Sequence, residues 1–390
     1  MKMKVRVEKV FQVELLVSAL LSLVNLGIEF TWFRVGISII AFLSILINFK
    51  KFIFYHIWNV VVINVLFSFT FESFLKLIAH FLPDYHWELF ILDLLLLPII
   101  LLPLIFVSFT KMKNMWWRFI TLVWLNPWIR SGYMVNNNEV SMLIYYLFFA
   151  GLYTGIVWYL FKEWRYYFGF HFKVKNLNLT YWLGAFLLLA TTITIVIFEV
   201  SIHQANYWNE IFNLNLDYID LSMPMASYSS YIKDTFSAFG GVLIEEVVRY
   251  LSLFTFLIFF KNNKHKLLFS IIASMIIFSL AHYSWIFDSE VRYRIIVIVL
   301  NTIDFGCYMA LIYLYTGKLW LVWLIHMAFD WLVSSGTPLA QGMLLSDNSN
   351  GYIYLMIKWL VALIILIIFL KVPAFSSRLN DTANRMVKRR

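Results

Sequence analysis

The stretch GGVLIEEVVRYLSLFTFLIFF, residues 240–260, decides how this chain is read. It is apolar enough to cross a bilayer, yet it holds Glu245, Glu246 and Arg249. An apolar helix of about 20 residues spans a hydrocarbon core roughly 30 Å thick. A charge at its centre costs on the order of 2.5–3.5 kcal/mol on insertion scales, so such residues turn inward and mark ion pairs or functional sites. What surrounds the stretch decides between the two.

The whole chain shares its apolar character. Of 390 residues, 62% are hydrophobic and 14% charged, against about 25% charged in ordinary soluble domains, and the mean hydropathy is +0.78. Twelve candidate spans are read, near 11–30, 35–49, 52–71, 87–110, 119–133, 140–161, 180–199, 235–260, 267–286, 293–316, 319–335 and 352–371. The second and fifth are short, which suits re-entrant segments, and Pro127 interrupts the fifth. The expected fold class is all-α, a polytopic transmembrane helical bundle of about 10–12 spans.

The net charge of +9 invites an acidic partner, but its placement argues against nucleic acid. Basic residues fall in short loops on one side: KK at 50–51, KMKNMWWR at 111–118, KNNKHK at 261–266 and RMVKRR at 385–390. Cytoplasmic loops carry such an excess, so both termini are expected in the cytoplasm. Acidic Glu210, Asp217, Asp220 and Asp347 fall opposite. The first apolar run carries Glu14 and lacks a small-residue cleavage site, so it is not read as a signal peptide. The single Cys307 excludes a disulfide framework within the chain. Polar connections at 162–179 and 200–234 suggest three regions. These are an accessory membrane region over 1–175, a core over 176–335, and a last helix with a solvated basic tail over 336–390.

The later spans hold more polarity than packing requires. His282 lies in FSLAH (278–282), and His326 and Asp330 lie in HMAFD (326–330). At about 100° per residue, Glu245 and Arg249 share a face, while Glu246 points about 100° away and needs a partner on another helix. His326 and Asp330 also stand at i, i+4. A desolvated glutamate is suited to take a proton from water, and imidazole N–H groups can stabilise an oxyanion. Phe-x-x-x-His alone is a weak signal, since Phe52 and His56 repeat it. A glutamate pair, then Phe-x-x-x-His, then His-x-x-x-Asp, each within a span, is more specific.

That ordered set resembles the CPBP family, the CAAX-protease and bacteriocin-processing (Abi) intramembrane proteases, whose pattern is EExxxR, FxxxH and HxxxN or HxxxD. The likeness is close over 235–335 and loose over 176–371. The arginine departs from the pattern by standing one position early, with Tyr250 where the family has arginine. This EExxR spacing is also similar to that of the related PrsW-type proteases.

The resemblance implies hydrolysis of a peptide bond in a membrane peptide or protein that is prenylated, pheromone-like or bacteriocin-like. Glu245 would be the water-activating base and Glu246 its partner or substitute, with Arg249 balancing their charge. His282 and His326 would position water and the oxyanion, and Asp330 would orient His326 or complete the oxyanion site. Glutamate chemistry without a cofactor is the expectation. Zinc held by His282, His326 and Glu245 is the alternative, although the HExxH arrangement is missing. The implied location is a bacterial cell membrane. Two rival readings are a catalytically silent scaffold or immunity protein, supported by the shifted arginine, and a transporter using Asp93 and Asp304 as relay groups.

Overall fold

The computed structural model describes residues 2–28, 30–51, 54–82, 84–130, 139–170, 178–205, 207–210, 225–281, 292–336 and 348–389. Among these, every regular element is helical and none is a strand. In lipid a helix satisfies its own backbone, which is why an apolar chain of this kind takes that form. Six described helical segments are long and apolar enough to cross a membrane: Arg6–Ile28, Trp32–Lys50, Trp87–Lys111, Ile144–Glu163, Leu179–Glu199 and Ile353–Lys371. The second of them spans by length, so the re-entrant alternative for 35–49 is not needed.

The chain divides into two compact units, Met1–Trp164 and Arg165–Arg390. The first contains α1 (Lys2–Ile28), α2 (Trp32–Lys50), α3 (Tyr55–Trp58), α4 (Asn64–Phe81), α5 (His86–Val107), α6 (Met115–Arg130) and α7 (Glu139–Glu163). A π-helical turn, Asn59–Ile63, joins α3 to α4, so the span read over 52–71 is one bent helical path. Its bend carries a buried amide pair. Asn48 and Asn59 each donate Nδ2–H to the other's Oδ1 at 2.7 Å, and Asn59 also donates to Ser108 Oγ at 2.9 Å. Paired amides leave few buried polar atoms unsatisfied, which is what makes such a turn affordable in an apolar setting.

The second unit contains α8 (Leu179–Gln204), α9 (Met225–Phe259), α10 (Lys266–Ala281), α11 (Arg292–Thr316), α12 (Leu319–Gly336), α13 (Asn348–Lys371) and α14 (Pro373–Val387). Helix α11 is its axis, packed against α8, α10, α12, α13 and α14. From Asp304 to Leu319 every residue is buried, as for a helix enclosed by others. Gly306 lets α10 approach closely, since a Cβ there would stand 3.4 Å from the Met275 Cα. The turn into α12 is made by Gly317 at φ +69°, a left-handed conformation that favours glycine.

The basic tail is not the solvated extension expected from its composition. Residues 373–387 form α14, started by Pro373 in the first turn, with Leu379, Thr382, Ala383 and Met386 buried. The charges that suggested solvation lie on its other positions. Arg378 Nε donates to the Tyr315 carbonyl at 3.4 Å, and Arg385 Nη2 donates to Thr382 Oγ1 at 2.9 Å beside Gly317. Both cations thereby sit at the C-terminal end of α11, where helix carbonyls favour positive charge.

Candidate active site

Helices α9 and α12 bring the charged residues of the opening stretch to His326. Two indole hydrogen bonds fix their register. Trp323 donates Nε1–H to the Phe239 carbonyl at 3.1 Å, and Trp331 donates to Thr235 Oγ1 at 3.1 Å. Between these clamps His326 is buried. Its Nδ1 lies 2.5 Å from Glu246 Oε1. Its Nε2 lies 3.4 Å from Asp330 Oδ1 and 3.9 Å from Glu245 Oε2.

Arg249 pairs with Glu246, its neighbour at i, i+3, through Nη1 and Oε1. This corrects the helical-face argument that put Arg249 beside Glu245. Burial decides the matter. The Glu246 and Arg249 side chains are 1% and 3% exposed, whereas that of Glu245 is 33% exposed. A carboxylate removed from water needs a charged partner more than one that is not. The partner that Glu246 required on another helix is the His326 imidazole.

The early position of the arginine therefore does not separate it from the glutamates. At i+3 from Glu246 it remains within the reach of a helical neighbour. The remainder of its guanidinium meets an aromatic face. Arg249 Cζ lies 3.6 Å from the Phe278 ring centroid and 5.9 Å from that of Phe305. A desolvated cation over a ring gains on the order of 2 kcal/mol. Phe278, which the sequence marked only as the companion of His282, is thus the platform for Arg249.

Aromatic rings also enclose the imidazole. Phe305 of α11 stands 4.8 Å from the His326 ring centroid, and Phe278 of α10 stands edge-on at 6.1 Å. Phe329 stacks on Phe305 at 4.6 Å. Sequence reasoning missed Phe305 and Phe329, because phenylalanine is common here and neither forms a charged motif. The site thus has a dry side, with Glu246, Arg249 and the rings, and an open side, with Glu245 and Asp330. The Asp330 side chain is 36% exposed.

The open side continues along α9. A Cβ on Gly241, one turn before Glu245, would meet nothing within 4 Å among the described residues. Among the described residues, no neighbour packs closely enough there to require glycine. His282 lies outside the described residues. Glu245, Glu246, Arg249, His326 and Asp330 are brought together.

Among the described residues no group of three His, Cys, Asp or Glu converges as metal ligands. The zinc set considered from the sequence includes His282. His326 alone has one feature of a ligating histidine, in that Nδ1 is held by a carboxylate and Nε2 is left to face the open side.

An all-helical membrane bundle with a buried carboxylate–guanidinium–imidazole cluster defines the class of the second unit. The comparison with family models agrees. Residues 231–332, about a quarter of the chain, match the model described as Rce1-like, type II CAAX prenyl endopeptidase Rce1-like. The match includes every residue assigned to the site and is consistent with the CPBP and CAAX intramembrane protease resemblance read from the motifs. No curated protein and no solved structure matches the chain.

Proposed function

We propose that the second unit is an intramembrane endopeptidase of CAAX-protease type, hydrolysing a peptide bond by glutamate-activated water. One observation carries the reading. His326 is held at Nδ1 by a buried, arginine-paired carboxylate and presents Nε2 to two partly exposed carboxylates. A histidine serving only as packing has no need of an open carboxylate pair at its second nitrogen.

Water bound between Glu245 and His326 gives a proton to Glu245 as its oxygen adds to the scissile carbonyl carbon. The resulting oxyanion is stabilised by the His326 Nε2–H, with His282 as the expected second donor. The C–N bond then breaks, and the proton held on Glu245 passes to the leaving amine. Glu246 and Arg249 are positioning residues: Glu246 accepts the Nδ1–H and fixes the ring angle. Asp330 faces the Nε2–H, so His326 acts as an imidazolium with both nitrogens protonated. Gly241 leaves room for an extended substrate strand to reach Glu245 along α9.

The substrates this site suits are membrane-associated peptides or proteins, among them prenylated, pheromone-like and bacteriocin-like ones. The distribution of basic loops supports both termini in the cytoplasm, and a bacterial cell membrane is the setting that the family resemblance implies. The zinc alternative would use His282, His326 and Glu245. The experiment is cleavage of pooled membrane peptides by the purified protein, read by mass spectrometry, with and without chelator. The expected result is cuts lost in both Glu245→Gln and His326→Ala and unaffected by chelator. Cuts that survive both substitutions would overturn the reading. A cellular phenotype that persists in both, without any cuts, would favour the silent scaffold.

A further inference from the structure

The second unit contains a second buried charged cluster, which the proposed chemistry does not use. Lys358 of α13 lies 2.8 Å from Glu199 Oε2 of α8 and 3.5 Å from Asp304 Oδ1 of α11. The Lys358 and Asp304 side chains are 0% and 1% exposed, and that of Glu199 is 13% exposed. Three helices thus meet through one lysine and two carboxyls.

Their charges do not balance. With all three ionised the cluster carries one excess negative charge in a setting where an uncompensated ion costs several kcal/mol. Among the described residues the other titratable groups facing it are Tyr354 of α13 and Cys307 and Tyr308 of α11, which supply no positive charge. Across the adjacent α10 contact, Gly306 meets the apolar Met275. The described arginines that touch α11 are distant. Arg378 and Arg385 lie at its C-terminal end, beyond Tyr315, and Arg249 is engaged with Glu246.

The two carboxyls are not equivalent. Glu199 accepts a hydrogen bond from Lys358 Nζ at 2.8 Å. Neither Asp304 oxygen accepts a hydrogen bond of normal geometry among the described residues, although both are fully buried. A buried ionised carboxylate is ordinarily held by hydrogen-bond donors. An aspartate that lacks them beside a completed ion pair is the group expected to be neutral.

We infer that Glu199, Lys358 and Asp304 form a proton-binding site, in which Lys358 and Glu199 are an ion pair and Asp304 holds the proton at neutral pH. The cluster is then neutral as a whole, and α8, α11 and α13 are joined without a net buried charge. The site is independent of the proposed peptidase activity. It shares α11 with that centre, since Asp304 precedes Phe305, the ring against His326.

Infrared spectroscopy tests this without any substrate. The full chain in lipid nanodiscs at neutral pH, labelled with carbon-13 at the aspartate carboxyl, is expected to show a label-sensitive carbonyl stretch of a protonated acid. The band should be absent from Asp304→Asn and retained in Asp93→Asn, the control for the other buried aspartate of the described spans. A wild-type spectrum with no such band would overturn the inference, as would a band that persists in Asp304→Asn. Should Asp304→Asn fail to fold, Asp93→Asn still decides, because loss of the band there assigns it to Asp93 and retention supports Asp304.

Discussion

Two charged clusters lie within one helical unit, and their difference separates chemistry from cohesion. At His326 the buried pair Glu246–Arg249 is backed by two carboxylates that reach outward, Glu245 and Asp330. At Lys358 all three groups are enclosed or nearly so. Both arrangements satisfy the rule that charge in a membrane bundle turns inward and finds partners. Only the first leaves titratable oxygens where water and a substrate can reach. Openness rather than charge is the distinguishing property, and it makes the two clusters respond differently to substitution.

The largest expected effect sharpens that contrast. Glu245→Gln should lower cleavage by about 10²–10⁴-fold, the usual worth of a positioned general base. It should leave thermal stability within roughly 0.5 kcal/mol, because the side chain is partly exposed and His326, its charge partner among the described residues, stands 3.9 Å away. A comparison of turnover and melting temperature with wild type checks both halves. A loss of stability equal to the loss of rate would place Glu245 among the cohesive groups.

The same operation at the enclosed cluster should invert the pattern. Lys358→Met removes the cation from two buried carboxyls, and breaking a buried pair costs about 3–5 kcal/mol. Cleavage per folded molecule should change little, since Lys358 pairs with Glu199 and Asp304, which are not residues of the His326 site. Denaturation in detergent beside a cleavage assay normalised to folded protein is the measurement. Arg249→Met should cost a similar amount of stability and also activity, because its partner Glu246 holds the imidazole.

Much of this was legible in the sequence. The helical class follows from apolar runs that recur across the chain. The candidate-site residues were singled out by three short motifs in fixed order, of which the structure brings Glu245, Glu246, Arg249, His326 and Asp330 together. Pairing between distant helices leaves no such trace. Glu199 and Lys358 stand 159 positions apart, and neither is part of a periodic pattern, so only Asp304 drew notice, as a transport relay. The partner of Arg249 was misjudged because i+3 and i+4 both bring side chains together, and burial is not written in spacing. The tail was read from net charge, whereas Leu379, Thr382, Ala383 and Met386 show what places α14 against the bundle.

Asp304→Asn separates the clusters by pH. If Asp304 holds a proton in the folded state, unfolding exposes it and releases that proton. Wild-type stability then falls as pH rises above the ordinary aspartate value near 3.9, by at most about 1.4 kcal/mol per pH unit. The fall stops where the folded carboxyl ionises. Asparagine mimics the neutral acid and carries no such dependence. Melting temperatures across pH should therefore converge or cross, with the variant gaining on wild type toward alkaline pH. Parallel curves would mean that Asp304 is ionised in the folded protein.

The smallest effect tests the open side of the His326 site. Gly241 lies one turn before Glu245 in the middle of α9, and a Cβ there would meet nothing within 4 Å among the described residues. Glycine within a helix is less favourable than alanine by about 0.5–1 kcal/mol. If packing alone mattered, Gly241→Ala would stabilise the protein by roughly that amount with no catalytic consequence. If the space receives a substrate strand, a larger side chain at the same position must compete with it. Gly241→Leu is then expected to raise KM several-fold while kcat and stability hold, because the reacting groups are untouched. An unchanged KM in Gly241→Leu would move the substrate path away from α9 and leave Glu245 to be approached from the Asp330 side.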